Sequence, residues 1–213
     1  LLTVGRIEGM NAAGLQELQI SIDGLKPDAI SKKTLKSLAG KLRLLGRHAR
    51  FHVNINSVLG ISEARTRDAL EVARAARALG FSHTVGVLHD AAGTLAPLSA
   101  GQRAVYAALM SKGSLAHRIN YLMFQKNLMD ARPNAWRCRA GARYLYICED
   151  GLVHYCSQQR GAPGTPLMDY GQGDIAREYR TAKPCAPFCT VSCVHQASFL
   201  DAWRSPQRAA VTL

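Results

Sequence analysis

The 213-residue sequence is notable first for what it lacks. No run of about 18 apolar residues is present, which excludes a transmembrane helix. No charged segment followed by an apolar one opens the chain, so no secretory signal is visible and we expect a cytoplasmic location. No cysteine precedes residue 138. The chain opens LLTVGRIEGM without an initiator Met, and we expect it to be a piece of a longer protein.

Acidic residues are also scarce, with 15 Asp and Glu against 27 Lys and Arg and a formal net charge of +12. Such a balance is compatible with a nucleic acid or another polyanion as partner. The basic residues are spread along the chain and are not interleaved with stacking aromatics, as a single-strand binder would need. Solvated basic helix faces are therefore the favoured explanation, and nucleic acid binding is not.

The first 130 residues alternate between strand and helix patterns. LQELQISIDG (15–24), RFHVNINSVLG (50–60) and HTVGVLHD (83–90) predict strands, and the apolar LLTV (1–4) suggests a partial one. Helices are predicted over 31–45, with a stop at Gly46, over 62–79, capped by Ser62 and ended by Gly80, and over 99–130, with Gly113 as a possible break. The pattern is typical of an α/β fold with parallel strands, here part of a (β/α)6 partial TIM barrel.

Polar residues gather at the carboxyl ends of these predicted strands, where such sheets carry out their chemistry. The residues concerned are Ser21, Asp23, Asn54, Asn56 and His89. Period-2 geometry places Gln19, Ser21 and Asp23 on one strand face, and His52, Asn54 and Asn56 on one face of the next. A polar ligand at this edge would satisfy their hydrogen bonds. A water-filled lumen or local turns, as at Asp23-Gly24, would do so equally.

The amino-acid composition changes after Arg132-Pro133, because all six cysteines follow. YLYIC-EDG-LVHYC predicts a β-hairpin with its turn at Asp150-Gly151, which would bring Cys138 and Cys156 near each other. Residues 157–175 are rich in Gly and Pro and predict a loop. In CAPFCTVSC, a helix beginning near Pro187 would place Cys189 and Cys193 one turn apart on the same face.

Disulfides, core packing and metal ligation are the three explanations for this cysteine set. Disulfides need an oxidising compartment, and nothing suggests export. Six cysteines between residues 138 and 193 after none before make core packing a poor explanation for the whole set. Metal ligation is favoured. Zinc would usually show two C-x2-4-C knuckles, of which only the second cluster resembles one. A [4Fe–4S] cluster also takes four thiolates, and both metals remain open on the residues alone.

The sequence resembles the radical S-adenosylmethionine (SAM) superfamily. The residues that carry the resemblance are ELQISIDG, HVNINSVLG and HTVGVLHD, which look like barrel strands four to six, and C-x12-G-x4-C (Cys138, Gly151, Cys156) with the later three-cysteine cluster, which looks like a SPASM or twitch extension. The resemblance implies an enzyme that reductively cleaves SAM to a 5′-deoxyadenosyl radical for hydrogen abstraction from a substrate. It implies residues 1–132 as the carboxyl-terminal portion of the barrel, 133–203 as an auxiliary [4Fe–4S] domain and 204–213 as a tail.

The resemblance also implies roles for individual residues. Ser21 and Asp23 would approach the ribose and methionine parts of SAM, Asn56 with Asn54 behind it would line the same site, and the main chain near Val87 and Leu88 would flank adenine. Cys138, Cys156 and two of Cys185, Cys189 and Cys193 would hold the auxiliary cluster.

The family's C-x3-C-x2-C motif is absent, so a second [4Fe–4S] cluster, which cleaves SAM, would lie on a missing amino-terminal part and this chain alone would be inactive. An electron donor such as flavodoxin or ferredoxin and an unknown peptide or small-molecule substrate complete the expected partners.

Several neighbours of the cysteines have two possible roles. Arg137, Arg139 and Arg143 could neutralise a cluster or be surface charge, and His154 and His195 could be ligands, although a core or solvent-facing histidine is favoured. Cys148 could be a core residue or a ligand. The alternative from another class is a structural zinc site on a basic nucleic-acid-binding protein.

Overall fold

The computed structural model describes residues 2–29, 31–60, 62–88, 95–111 and 115–204. The chain divides into two units, Leu1–Ala131 and Arg132–Leu213. This boundary falls one residue before the predicted one. Two predictions, the strand end at His89 and the helix break at Gly113, lie outside the described residues, as does the tail beyond residue 204.

The first unit alternates helices and strands. Its elements are α1 (Val4–Ala12), β1 (Glu17–Ser21), α2 (Leu35–His48), β2 (His52–Leu59), α3 (Glu63–Ala78), β3 (Ser82–Val87), α4 (Ala100–Met110), α5 (Leu115–Asn120), a π-helical segment (Tyr121–Gln125) and α6 (Lys126–Met129). The strands form one parallel sheet in the order β1-β2-β3, with Ser21 opposite Asn56 and Leu59 opposite Val87. The predicted α/β class with three parallel strands is confirmed.

The two faces of this sheet differ in chemistry because side chains alternate along each strand. Val53, Ile55 and Leu59 of β2 and Val85 and Val87 of β3 are buried in two apolar clusters that also contain residues of the helices. Buried members from the helices include Ile7, Leu42, Leu45, Val72, Ala73, Ala76, Tyr106, Leu109 and Leu128. The opposite face carries Gln19, Asn54, Asn56, Ser82 and Thr84. The sheet is therefore packed by helices on its apolar face and polar on the other.

The ends of the helices correct some predictions and confirm others. LLTV is not a strand, because Thr3 caps α1 by accepting the Arg6 N–H and Ile7 is fully buried. Helix α2 continues through Gly46, which packs near the Leu79 carbonyl and the Phe81 ring, both 3.7 Å from where a Cβ would stand. The Ser62 cap of α3 and the left-handed Gly80 after it, with φ of 76°, are confirmed.

The second unit is built from short elements. They are β4 (Tyr146–Ile147), β5 (Leu152–His154), β6 (Pro163–Pro166), α7 (Gln172–Arg180) and α8 (Ser192–Arg204), with 3-10 turns at Leu167–Asp169 and Ala186–Phe188. β4 and β5 pair antiparallel, which confirms the predicted hairpin, and β6 adds a third antiparallel strand within the segment predicted as loop. No helix among the described residues is long and apolar enough to cross a membrane.

The predicted helix at Pro187 is wrong. Pro187 lies in the 3-10 turn, Cys189 follows in extended conformation with ψ of 133°, and α8 begins only at Ser192. Cys189 and Cys193 consequently do not share a helical face. A proline suits the first turn of an α-helix and a single 3-10 turn equally well. The contacts around this turn, described below, select the 3-10 turn.

Candidate metal centre

Four cysteines from separate segments of the second unit gather in one place. Cys138 precedes the hairpin, Cys156 follows it, and both are buried in an apolar cluster with Ala186, the residue after Cys185. Cys189, at the other end of the same 3-10 turn, is also buried, whereas Cys185 lies at the solvent edge. The hairpin and the turn thus each deliver two thiols.

The thiols influence one another's ionisation. Burial raises the pKa of Cys138, and the nearby Cys185 and Cys156 raise it further. Burial raises the pKa of Cys189 to about 12, again with contributions from Cys138, Cys156 and Cys185. Burial and Cys156 likewise raise the pKa of Cys185. The four thiols therefore lie within electrostatic reach of one another, and a cation bound among them would convert them to thiolates.

The spacing of the four sulfurs bears on which cation fits. Among the described residues, no three of these sulfurs lie mutually within 4.8 Å. Tetrahedral zinc, with Zn–S bonds of about 2.3 Å, would draw its sulfurs to about 3.8 Å from one another. The four sulfurs therefore do not already form a zinc tetrahedron, and a donor set of four thiols is one that both zinc and a cubane cluster accept.

Cys193 is placed differently from the other predicted ligands. It stands in the first turn of α8 and is exposed. Its thiol lies against the Tyr144 hydroxyl, and burial together with a hydrogen bond to Cys193 raises the pKa of Tyr144. The structure thus brings together Cys138, Cys156, Cys185 and Cys189 and leaves Cys193 facing a tyrosine.

Cys148 belongs to a second group, in which one atom each of Cys148, Asp150 and His154 lie within 4.8 Å of one another. His154 is 2% exposed, and its Nδ1 accepts the Gly161 N–H at 2.9 Å. The ring proton is therefore on Nε2, where it donates to Asp150 at 3.1 Å. Because Nε2 carries this proton, it has no lone pair to offer a metal. The Cys148 Sγ already accepts a hydrogen bond from the Arg160 guanidinium at 2.8 Å. The group braces the hairpin turn.

The turn that carries Cys185 and Cys189 is fixed from both sides. The Trp136 indole donates to the Ala186 carbonyl at 2.6 Å, and the Asn134 N–H donates to the Pro187 carbonyl at 2.8 Å. His195 donates from Nε2 to the Cys189 carbonyl at 3.0 Å and meets the Trp136 ring edge-on. Burial lowers the pKa of His195 to about 4, so the ring is neutral and acts as a support for the turn.

A buried ion pair adjoins the thiols. Lys183 Nζ lies 3.4 Å from Glu178 Oε2, and both side chains are almost fully buried. Tyr155, the residue before Cys156, donates to the same carboxylate oxygen at 2.7 Å. Burial alone would raise the pKa of Glu178, but hydrogen bonds from Tyr155 and Arg177 and the Lys183 charge lower it. The network ties α7 to the hairpin and to the segment before Cys185.

The arginines near Cys138 have acidic or carbonyl partners. Arg139 and Arg143 each reach Asp201 on α8, at 3.1 and 2.6 Å, and the Arg139 guanidinium also covers the Tyr179 ring at 3.7 Å. Arg137 donates to the Arg180 carbonyl. The arginine side chains therefore fasten α7 and α8 to the segment that carries Cys138.

The polar face of the first unit is a hydrogen-bonded ladder. Asn54 is 3% exposed; its Nδ2 donates to Gln19 and to Thr84, and its Oδ1 accepts from Ser82, each at 2.9 Å. Thr84 in turn donates to Asn56. The structure places Asn54 and Asn56 on the same face, as predicted, and the hydrogen bonds of Asn54 are supplied by the sheet itself.

The loop after β1 is held by its own hydroxyls and by α3. The Asp23 carboxylate accepts from Ser21 and Ser31, at 3.3 and 2.7 Å. The buried Arg65 donates to the Asp23 carbonyl at 2.7 Å and pairs with Asp28. A Cβ on Gly24 would stand 2.5 Å from the Arg65 guanidinium, so a side chain there would force Arg65 to shift.

The end of β3 offers main chain rather than side chains. The Val87 side chain is buried in the apolar core, and the Leu88 N–H donates to the Leu59 carbonyl at 2.9 Å. Leu88 itself is partly exposed.

Sequence reasoning missed Lys183, Glu178 and Arg65 as parts of these sites. One signal for Lys183 was available, since it is the only lysine after Lys126 in a segment where the other basic side chains, histidines apart, are arginines. Glu178 and Arg65 act over long sequence separations, which local patterns do not reveal.

No protein-family model, no curated protein and no solved structure matches the chain.

Proposed function

We propose that this chain is part of a radical SAM enzyme and that its second unit holds an auxiliary [4Fe–4S] cluster through Cys138, Cys156, Cys185 and Cys189. The observation that carries the proposal is the gathering of four thiols from the two ends of a hairpin and the two ends of a 3-10 turn. Four thiolates are the donor set that a [4Fe–4S] cluster takes, and structural zinc with the same donors is the alternative.

The first unit supports the SAM part of the proposal. A parallel sheet packed by helices on one face and polar on the other is what a half-barrel lining a ligand site would require. On this proposal Ser21, Asp23 and Asn56 meet the ligand, Asn54 holds Asn56 in place through Thr84, and the main chain at Val87 and Leu88 lies beside the base. The first unit contains no cysteine, so the cluster that cleaves SAM would need ligands from outside this chain.

The number of thiols favours one role for the auxiliary cluster. Four protein thiolates leave no open iron for a substrate, whereas three would leave one. With Cys189 as fourth ligand the cluster's chemistry would be one-electron transfer, and Cys185, the exposed one of the four, would lie at its solvent edge. The electron donor would be a flavodoxin- or ferredoxin-like protein, and the substrate a peptide or small molecule acted on by the full-length enzyme.

Anaerobic reconstitution tests the proposal. The chain should take up about four irons and four sulfides and absorb near 400 nm as a brown protein. Serine in place of Cys138, Cys156, Cys185 or Cys189 should lower iron content and absorbance strongly. Cys148→Ser and Cys193→Ser are the matched controls and should retain both.

Two results would contradict the proposal. A colourless protein that carries one zinc per chain would favour the structural zinc alternative. Loss of iron in Cys193→Ser with retention in Cys189→Ser would show that Cys193, and not Cys189, is the fourth ligand.

A further inference from the structure

Lys183 is a buried cation with a complete set of hydrogen-bond acceptors. The residue is 6% exposed. Its Nζ donates to the Glu178 carbonyl at 2.7 Å and to the Thr181 carbonyl at 3.1 Å, and it lies 3.4 Å from Glu178 Oε2. An ammonium has three N–H donors and no acceptor, so these acceptors and the Glu178 charge favour the charged form, although burial lowers the pKa of Lys183.

The same ammonium lies near two of the four thiols, since its charge acts on Cys138 and on Cys185. Lys183 precedes Cys185 by two positions, and its carbonyl accepts the Ala186 N–H at 3.0 Å, which starts the turn that ends at Cys189. Its Nζ lies 4.6 Å from the centre of the Tyr155 ring, and Tyr155 adjoins Cys156 in sequence. The charge is therefore fixed against both segments that deliver ligands.

Among the described residues, the other basic side chains near Cys138 have partners of their own. Arg139 and Arg143 share the Asp201 carboxylate, and Arg137 is directed to the Arg180 carbonyl. Glu178, the partner of Lys183, also accepts hydrogen bonds from Tyr155 and from Arg177, which donates to its other oxygen at 3.0 Å, so its charge is shared among several donors. A cluster bound by four thiolates is anionic, and one-electron reduction adds one further negative charge. A cation nearby therefore favours the reduced form.

We propose that Lys183 is the fixed counter-charge of the four-thiol site and raises the reduction potential of the cluster held there. This inference rests on the proposed function. It assigns Lys183 a positioning role for charge, not a role as ligand or catalytic residue, and it gives a reason for a lysine at a position where a compact ammonium can reach three acceptors.

A redox titration of the reconstituted chain, followed by the electron paramagnetic resonance signal of the reduced cluster and with dithionite as the one-electron donor, tests the inference. Lys183→Met should make reduction less favourable by about tenfold in equilibrium constant, which is about 59 mV for one electron. Lys183→Arg should stay within about twofold of wild type. Arg180→Met removes the same charge from an exposed position three residues away and serves as the matched control.

The outcomes separate the inference from the proposed function. If the wild-type chain binds no cluster, both fall. If wild type and Lys183→Met both bind clusters and their equilibrium constants for reduction agree within about twofold, the inference is wrong and the proposed function stands. If Lys183→Met loses the cluster, the comparison passes to Lys183→Arg: retention of the cluster with a wild-type potential upholds the need for charge, and loss in both variants overturns it.

Discussion

The polar ladder of the first unit leads to a quantitative prediction for Asn54. Asn54 makes three hydrogen bonds across the sheet, to Gln19, Thr84 and Ser82, in a buried position. Asn54→Leu removes all three and leaves hydroxyls of β3 without this partner. At about 1 kcal/mol net for each hydrogen bond, partly offset by the added apolar burial of leucine, the loss is about 2 kcal/mol.

Hydrogen exchange is the suitable assay, because both tryptophans, Trp136 and Trp203, lie in the second unit and do not report on the sheet. A loss of about 2 kcal/mol corresponds to about 30-fold faster exchange for peptides covering 52–59 and 82–87. Gln19→Leu is the control, since Gln19 is exposed and makes one of these bonds; exchange should rise there by about fivefold at most. Exchange in Asn54→Leu within about threefold of wild type would refute the assignment of the ladder as a stabilising network.

Three further predictions concern single contacts. Burial alone would raise the pKa of Asp201, but hydrogen bonds from Arg143 and Tyr179 and the charges of Arg143 and Arg139 lower this pKa below its usual value. The stability that the Asp201 carboxylate contributes is therefore present above pH about 4 and is lost as pH falls through the folded-state pKa. Asp201→Asn should cost about 3 kcal/mol at pH 7, measured by urea unfolding with tryptophan fluorescence, and should flatten the acid limb of the stability profile; an unchanged acid limb would contradict the ion pair. Gly141→Ala should destabilise by about 3 kcal/mol, because φ is 82° and the new Cβ would stand 3.0 Å from Glu178 carbons, whereas Gly151→Ala, at φ of 72° with open space, should cost about 1 kcal/mol; equal losses in urea unfolding would argue against the close approach. Arg65→Met should speed proteolysis of the 22–29 loop by about tenfold, since Arg65 ties Asp23 and Asp28 to α3, while the exposed Arg67→Met should leave the cleavage rate unchanged.

The sequence allowed the sheet and the hairpin to be predicted because their signals are local. Alternation in HVNINSVL places Asn54 and Asn56 on one face whatever surrounds them, and Asp150-Gly151 specifies a turn between two short strands. Helix α1 was missed, because LLTV reads as an apolar run unless Thr3 is recognised as a cap that competes with strand formation.

The choice among Cys185, Cys189 and Cys193 could not be made from the sequence. Pro187 suits the first turn of either helix type, and what selects a 3-10 turn is contact with Trp136, Asn134 and His195, two of them about 50 residues away along the chain. The Glu178–Lys183 ion pair could not be predicted from the sequence either, because its contribution to stability depends on burial by Tyr155 and on the approach of the hairpin.

The separation of the four thiols along the chain has a consequence for biogenesis. During synthesis, Cys138 and Cys156 emerge and can close their hairpin well before the turn that carries Cys185 and Cys189 leaves the ribosome. Until then, only two of the four proposed ligands exist in folded form, and on the proposed function a metal captured early would be held by two sulfurs and exchange readily. On the proposed function, complete loading therefore has to wait until the turn that carries Cys185 and Cys189 has folded, so the timing of iron delivery would decide how much of the chain carries a cluster.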